Sequence, residues 1–172
     1  MKLIVGLGNP GLAHEGTRHN VGFAVLDALR QAYQATGWNR QARSSCSDVD
    51  VRGVAVRVLK PLTMMNLSGP AVQEAVQSSG VALADVLVVL DDVNLPLGTL
   101  RLRPQGSAGG HHGLASCLET LQTEQIARLR IGIGRQPLPK DLTNFVLSAF
   151  EAEERPQATQ VVQRAAEAIA MR

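Results

Sequence analysis

The sequence predicts an α/β fold: a single three-layer domain over residues 1–172, with a twisted, mostly parallel mixed sheet and helices on both faces. Apolar runs such as residues 86–90 are typical of strands that are buried on both sides. These runs alternate along the chain with amphipathic segments of helical period. The length suits one domain, and no repeat, low-complexity tract or linker divides the chain.

Strands are predicted wherever short apolar or alternating runs are bounded by turn residues. The first run ends in a glycine turn, Arg52-Gly53 forms a tight turn between the next two runs, and Pro61 closes the second of these. The segment 100–103 alternates apolar and charged residues, as a half-exposed strand does. The predicted strands cover residues 2–7, 48–51, 54–60, 86–90, 100–103 and 129–133.

Helices are predicted where apolar residues recur at helical spacing. Ser68 is expected to cap the second helix, with Pro70 in its first turn and Gly80 just past its end. The glycine loop at residues 106–110 precedes the third helix. The predicted helices run from about residue 20 to 35, from 68 to 77, from the His111-His112 pair to about 121, and within 151–171.

The composition favours a soluble globular protein of the cytoplasm. Hydrophobic residues make up 45% of the chain, and the formal net charge is +2. No apolar run is long enough to span a bilayer and no leader pattern precedes the first strand, so no membrane partner is expected. Cys46 and Cys117 lack the spacing of a metal site or a disulfide framework and are expected to be free thiols.

Basic residues are concentrated in one part of the chain, where residues 99–136 contain five arginines against two acids. The ordinary explanation is a solvated face in an arginine-rich protein. If these strands lie beside a functional site, the arginines would instead bind phosphate, because the planar guanidinium donates paired hydrogen bonds. The five are Arg101, Arg103, Arg128, Arg130 and Arg135.

The run Gly6-Leu7-Gly8-Asn9-Pro10-Gly11 follows the first strand and spells G-x-G-x-x-G. A dinucleotide site needs the third glycine at the start of a helix whose N–H groups hold the pyrophosphate. Pro10 precedes that glycine here, and the helical pattern begins only near Asn20, so this interpretation is the weaker one. Asn9 and His19 in the same segment instead predict a hydrolytic site, because imidazole transfers protons near neutral pH.

Polar groups recur in the predicted loops, and each has an ordinary structural explanation when taken alone. Together, a carboxylate, imidazoles and carboxamides on adjacent loops predict a site of general-base catalysis. The adjacent pair His111-His112 lacks metal-ligand spacing, so a zinc hydrolase is less favoured and no metal is expected. The groups are Asn9, His19-Asn20, Asn66, Asp91-Asp92 and His111-His112.

Six ordered motifs from Lys2 to about residue 150 resemble those of the bacterial peptidyl-tRNA hydrolase family. They read G-L-G-N-P-G, T-R-H-N, M-N-L-S-G, the apolar strand ending in Asp91, G-G-H-x-G-L and R-L-R-I-G-I-G. The resemblance implies hydrolysis of the ester between a peptide and the 3′ end of tRNA, which recycles the tRNA, with no metal or cofactor. The implied substrate is peptidyl-tRNA, bound through its acceptor stem and its peptide, and we expect a monomer.

The resemblance assigns roles to several of the motif residues. His19 would be the general base that activates water, and Asp91 would fix its tautomer and stabilise the imidazolium. Asn9, in the catalytic set, and Asn66 would hold the water, the substrate carbonyl or the tRNA 3′ end. Met65 would line the peptide pocket. The tRNA phosphates are assigned to Arg101, Arg103 and Arg130.

Three positions depart from the family pattern. His14 stands where tyrosine is usual, His112 where asparagine is usual, and Asn94 where an acid is frequent. We expect His14 and His112 to bind substrate outside the chemical step. The remaining alternative is a non-catalytic RNA-binding member of the same fold. That alternative predicts loss of the base or of its orienting carboxylate, yet His19 and Asp91 are both retained.

Overall fold

A mixed sheet forms the centre of the computed structural model, which describes residues 1–171; Arg172, the last residue of the predicted domain, lies outside this range. The strands are β1 Lys2–Gly6, β2 Asn39–Arg40, β3 Ser44–Val51, β4 Val54–Pro61, β5 Val86–Pro96, β6 Leu100–Arg103 and β7 Ala127–Gly134. They lie side by side in the order β2-β3-β4-β1-β5-β7-β6.

The four central strands are parallel and deeply buried. β1 pairs with β4 on one side and with β5 on the other, and β5 pairs in parallel with β7. Val5, which lies opposite both Leu59 and Val88, is fully buried, as its place in a continuous apolar run predicts. The antiparallel strands β3 and β6 flank this group. The predicted mixed α/β sheet is therefore confirmed.

Helices cover both faces of the sheet, as predicted. Within residues 1–171 they are α1 Val21–Ala32, α2 Ser68–Ser79, α3 His112–Leu121, α4 Leu142–Val146 and α5 Arg155–Ala170. α1 and α5 pack on one face, where Val25, Leu29 and Val161 are buried. α2 and α3 cover the opposite face around Val72 and Leu114. None of these helices is long and apolar enough to cross a membrane.

β5 is longer than the apolar run that predicts it. It continues through Asp91 and Asp92, because β7 extends alongside and places Ile131 and Gly132 opposite the two aspartates. Its pairing with β1 already ends at Val89. The expectation that Asp91 lies in a loop at the end of the strand is therefore wrong. Asp91 belongs to a part of β5 that projects beyond β1.

Other bounds differ for similar reasons. β3 begins at Ser44 rather than near residue 48, because it pairs along the whole of β4 up to Pro61. β2 and α4 are not predicted, since both are too short to show a hydrophobic period. α1 is shorter than expected at both ends. A 3-10 turn at Arg18–Asn20 precedes it, and Gln34 beyond its end has a φ of 47°.

The second helix begins at Ser68, but the capping prediction is wrong. Ser68 is already helical, and its hydroxyl donates to the Met65 carbonyl. Leu67 occupies the cap position instead. Gly80 ends the helix as predicted, with a φ of 68° that glycine adopts without strain.

The segment after β1 excludes a dinucleotide site of the G-x-G-x-x-G type. Gly11 is followed by a 3-10 turn at Leu12–His14, and α1 begins only at Val21. The glycine turn therefore does not open a helix. A pyrophosphate at the turn would lack the helix N–H groups that such sites provide.

α2 and α3 approach each other closely at Gly69. A Cβ on Gly69 would lie 2.2 Å from the Ser116 carbonyl oxygen, and the Gly69 N–H donates to the Ser116 hydroxyl at 2.8 Å. At the start of α3, a Cβ on Gly113 would lie 2.4 Å from the Met65 sulfur. Gly69 therefore lets the first turn of α2 approach the middle of α3, and Gly113 lets the first turn of α3 approach the turn before α2, which lines the candidate site.

We expect Gly69→Ala to lower the free energy of unfolding by about 1–3 kcal/mol, because the added methyl group must push α2 and α3 apart. Urea denaturation followed by circular dichroism measures the loss. Gly37→Ala is the matched control, since nothing lies within 4 Å of a Cβ at Gly37, and it should not lose stability. Equal destabilisation by the two substitutions would contradict this account of the packing.

Candidate active site

A cleft of about 550 Å³ lies beside the carboxyl end of β1 and brings together most of the residues singled out from the sequence. All four histidines of the chain line it. Its walls combine these polar groups with apolar side chains from α4 and from the turn before α2. The lining includes Asn9, His14, His19, Met64, Met65, Asn66, Asp91, His111, His112, Leu142, Val146 and Leu147.

Asp91 lies at the centre of the site. Its carboxylate is 3% exposed, with Oδ2 2.8 Å from His19 Nδ1 and Oδ1 2.8 Å from His111 Nε2. Burial raises the pKa of Asp91, but the charge and hydrogen bond of His111 and the hydrogen bond of His19 together outweigh it and lower the pKa to about 2. The carboxylate is therefore ionised at neutral pH.

The tautomer of His111 is determined by helix α3. His111 occupies the cap position of α3, and its Nδ1 accepts the Leu114 backbone N–H at 3.1 Å. The neutral ring must then carry its proton on Nε2, from which it donates to Asp91. The sequence assigns no role to His111 by itself. The signal that points to it is its place directly before a helix, where side chains that accept hydrogen bonds are favoured.

His19 belongs to the 3-10 turn before α1 and reaches Asp91 across the cleft. Its Nδ1–H donates to the carboxylate, so the neutral ring has its lone pair on Nε2. The His19 ring centre lies 5.1 Å from that of His111. His19 and Asp91 therefore have the arrangement of a general base and the carboxylate that orients it.

Asn9 is buried, and two neighbours hold its side chain and its backbone. Its Oδ1 accepts the Met65 backbone N–H at 2.6 Å. Its backbone N–H and carbonyl exchange hydrogen bonds with the Asn20 amide at 2.8 and 2.9 Å. Because the side-chain oxygen is engaged, the NH2 group is the end of Asn9 that can donate to a substrate. Asn20, which has no role assigned from the sequence, thus positions Asn9.

The four residues expected to bind substrate all line the cleft, but at different depths. Met65 is buried and His14 is partly buried, whereas Asn66 and His112 are exposed. His112 is the first residue of α3. The adjacent histidines therefore have different surroundings, since His111 contacts Asp91 and His112 is open to solvent.

The three arginines assigned to phosphate share one face of the sheet. Arg101 lies directly opposite Arg130 in the antiparallel pair β6–β7, and Arg103 follows two residues later on the same face. Arg101 and Arg103 are exposed. Arg130 is already engaged, because it lies 3.6 Å from Asp92 and donates to the Ala108 carbonyl at 3.1 Å. It therefore ties the glycine loop to β5.

Arg128 is buried beneath the same loop. It is 1% exposed, and its guanidinium donates to the carbonyls of Ser107, Glu124 and Ile126 at 2.8, 3.2 and 2.9 Å. Burial and the nearby charge of Arg130 lower the pKa of Arg128. Its position makes it a support for the loop rather than a ligand for phosphate.

The side chains around Asp91 are also candidate metal ligands. Ligand atoms of His19, Asp91 and His111 lie within 4.8 Å of one another. A metal would need a lone pair on His111 Nε2, and the ring proton would then sit on Nδ1, directly against the Leu114 N–H. The hydrogen bond that caps α3 would be lost. The geometry therefore favours two histidines that donate to a carboxylate over a metal centre.

Comparison with known proteins places the chain in a family. The model of the family described as peptidyl-tRNA hydrolase matches residues 3–172. The peptidyl-tRNA hydrolase of Geobacillus kaustophilus is 46% identical over 168 residues, which cover 98% of this chain and 90% of the relative. That of Carboxydothermus hydrogenoformans is 47% identical over 169 residues and covers the same shares of the two chains, 98% and 90%.

Solved structures with this name share the fold. Peptidyl-tRNA hydrolase from Acinetobacter baumannii aligns with a TM-score of 0.90 at 31% identity, over 97% of this chain and 85% of that chain. A complex of peptidyl-tRNA hydrolase with N-propanol aligns with a TM-score of 0.92 at 30% identity. The alignment covers 99% of this chain and 87% of that chain. Sequence and fold agree over nearly the whole length, and the chain belongs to the peptidyl-tRNA hydrolase family.

Proposed function

We propose that this chain hydrolyses the ester bond of peptidyl-tRNA and releases a peptide and a free tRNA. The observation that carries the proposal is the 2.8 Å hydrogen bond between His19 and Asp91. The pair lies in an open cleft, and the chain belongs to the peptidyl-tRNA hydrolase family. Esters are reactive acyl compounds, so a positioned water and a base suffice without a protein nucleophile. Incubation with N-acylated aminoacyl-tRNA tests the proposal, with free tRNA as the readout. Binding of this tRNA without cleavage would favour the non-catalytic RNA-binding alternative.

The proposed reaction has two steps. His19 Nε2 takes a proton from a water molecule whose oxygen attacks the ester carbonyl, so that a C–O bond forms and the carbonyl electrons move to the oxygen. Asp91 stabilises the imidazolium through the hydrogen bond at Nδ1. The oxyanion then re-forms the carbonyl, the C–O bond to the ribose breaks, and the imidazolium returns the proton to the ribose oxygen. The NH2 group of Asn9 is our candidate donor to the oxyanion.

The other assigned residues suit the two parts of the substrate. Met65 and the apolar side chains of α4 would bind the peptide, since they offer no partner for charged groups. The exposed or partly buried side chains at the rim would bind the 3′ end of the tRNA, and the arginines of β6 and β7 would bind its phosphates. The rim residues are His14, Asn66 and His112, and the arginines are Arg101, Arg103 and Arg130. The proposal is for a monomeric enzyme of the cytoplasm that needs no metal or cofactor.

We expect Asp91→Asn to inactivate the site through the wrong histidine tautomer. Leu114 holds His111 Nδ1, so the His111 Nε2–H must donate to the amide oxygen at position 91. The amide NH2 then faces His19, which must accept at Nδ1 and carry its proton on Nε2. The kcat for N-acetyl-aminoacyl-tRNA should fall by about 10²–10⁴-fold, close to the value for His19→Ala.

A second substitution separates this account from a simple loss of charge. Adding His111→Ala to Asp91→Asn lets the amide turn its oxygen toward His19, so kcat should recover by about tenfold. His111→Ala in the otherwise native chain should instead lower kcat. A double variant no faster than Asp91→Asn would contradict the tautomer argument.

The adjacent histidines offer a matched pair for mutation. We expect His112→Asn, which introduces the usual family residue, to keep or raise kcat because His112 is exposed. His111→Asn should lower kcat by about tenfold or more, because Asp91 loses a donor of fixed tautomer. Steady-state rates of folded variants measure both effects. A large loss for His112→Asn would mean that His112 takes part in the chemistry.

We expect Arg101→Ala and Arg103→Ala each to raise KM for peptidyl-tRNA by about threefold to tenfold. Each should also reduce the slope of log affinity against log salt by about 1, because a lost phosphate contact releases fewer counterions. Cleavage of a small ester without the tRNA body should not change. Arg40→Ala, an exposed arginine at the opposite edge of the sheet, is the control.

Arg130→Ala should behave differently, because Arg130 also holds the glycine loop through Ala108 and approaches Asp92. It should slow the cleavage of both substrates. If Arg101→Ala also slowed both substrates, Arg101 would be structural rather than a phosphate ligand.

A further inference from the structure

Arg18 is a buried arginine that the proposed reaction does not use, although it directly precedes His19. It is 2% exposed. Its Nη2 lies 2.6 Å from Glu154 Oε1, and its Nη1 donates to the Ala149 carbonyl at 2.9 Å and to the Ser148 hydroxyl. Within residues 1–171 its Nε is buried without a hydrogen-bond partner. Removing an ion pair from water costs free energy, and here one guanidinium nitrogen also lacks a hydrogen bond among the described residues. A contribution to stability alone therefore does not explain why this arginine is buried.

The guanidinium contacts α4 and several residues of the segment between α4 and α5. It lies 4.1 Å from the ring centre of Phe145 and 5.5 Å from that of Phe150. It also contacts Ser148, Ala149 and Glu154. One side chain therefore contacts the segment that joins α4 to α5 near both of its ends. A helix as short as α4 is not stable by itself, so its position depends on such tertiary contacts.

α4 and the residue after it form one apolar wall of the cleft, apart from the methionines of the turn before α2. Leu142 and Leu147 are 40% and 41% exposed and line the cleft together with Val146. Phe145, from the same helix, is buried against Arg18 instead. The contact that anchors α4 is therefore on its inner side, and the side chains that it presents to the cleft suit a peptide rather than a phosphate.

His19 is anchored by groups that lie outside the segment contacted by the Arg18 guanidinium. The next residue, Asn20, exchanges hydrogen bonds with the Asn9 backbone at 2.8 and 2.9 Å. His19 itself is held by Asp91. Loss of the guanidinium should therefore move α4 and leave the base in place.

We propose that Arg18, paired with Glu154, is a positioning residue that holds α4 at the cleft and so determines the affinity for the peptide part of the substrate. It does so without acting on His19. The inference rests on the proposed function, because the cleft is taken to bind the peptide of peptidyl-tRNA.

Two variants test this role. Arg18→Lys keeps the charge but loses the fork that reaches carboxylate, carbonyl and hydroxyl together. Glu154→Gln keeps the shape and removes the partner charge, and it decides the question if Arg18→Lys does not fold. Arg57→Lys is the matched control, since Arg57 forms an ion pair with Asp48 on the surface of β3 and β4. The substrates are N-acetyl-aminoacyl-tRNA and a tRNA that carries a peptide of several apolar residues.

We expect KM for the peptide-bearing tRNA to rise about fivefold to tenfold in Arg18→Lys and Glu154→Gln. KM for the acetyl substrate, kcat and the pH–rate profile should stay within about twofold of the wild type. Amide hydrogen exchange should become faster in residues 142–150 and stay unchanged in α1. The Arg57→Lys control should match the wild type in every measurement.

Three results would overturn the proposal. A lower kcat or a shifted pH–rate profile at unchanged KM would mean that Arg18 acts through His19. An equal rise of KM for both substrates would mean that the peptide is not what α4 binds, and unchanged KM values would mean that α4 needs no anchor. A wild-type protein that cleaves neither substrate would refute the proposed function itself, which is a separate outcome.

Discussion

The buried charge of Asp91 is the constraint on which the site depends. A carboxylate that is 3% exposed has lost its hydration and requires donors in its place. His19 and His111 supply them from different elements, the turn before α1 and the cap of α3. Each histidine must carry a proton on the nitrogen that faces Asp91. For His111 this nitrogen is Nε2, because Nδ1 accepts the Leu114 backbone N–H of α3. The proton position on His19 follows from the ionised carboxylate itself, because Oδ2 can only accept from Nδ1.

Three arginines near this site, Arg18, Arg128 and Arg130, donate to the carbonyls of loops. Arg128 and Arg130 both donate to the Ser107 carbonyl and so hold the loop that leads to His111. Arg18 likewise donates to the Ala149 carbonyl in the segment between α4 and α5. The guanidinium suits this task because it offers five donors in one plane to segments whose carbonyls lack partners in a sheet or helix. The exposed arginines of β6 are the ones proposed to bind phosphate, so burial distinguishes the arginines that support loops from those proposed to bind substrate.

The polar and apolar walls of the cleft differ in how they are held. Asp91 belongs to a strand, and Asn9 is oriented by hydrogen bonds with Met65 and Asn20. The close approaches at Gly69 and Gly113 pack α3 against α2 and against the turn before α2. The apolar wall, by contrast, stands on one short helix that is anchored mainly through Phe145. The groups proposed for the chemistry thus rest on the rigid core, whereas the groups proposed for peptide binding rest on a peripheral element.

The sequence by itself determined the α/β class, the buried central strands, the long helices and, through six ordered motifs, the family. Apolar periodicity and local turn chemistry are properties of neighbouring residues, so they are legible without a structure. Only the tertiary structure decided that Asp91 lies within β5, since the strand continues because β7 pairs with it. The tertiary structure also decided that His111 donates to Asp91, because these two residues are 20 apart in the chain. It decided as well that Arg18 is buried and that Arg130 lies beside Asp92. The physical reason is that burial, tautomer and ion pairing depend on the side chains that another element brings near, and no local pattern records them.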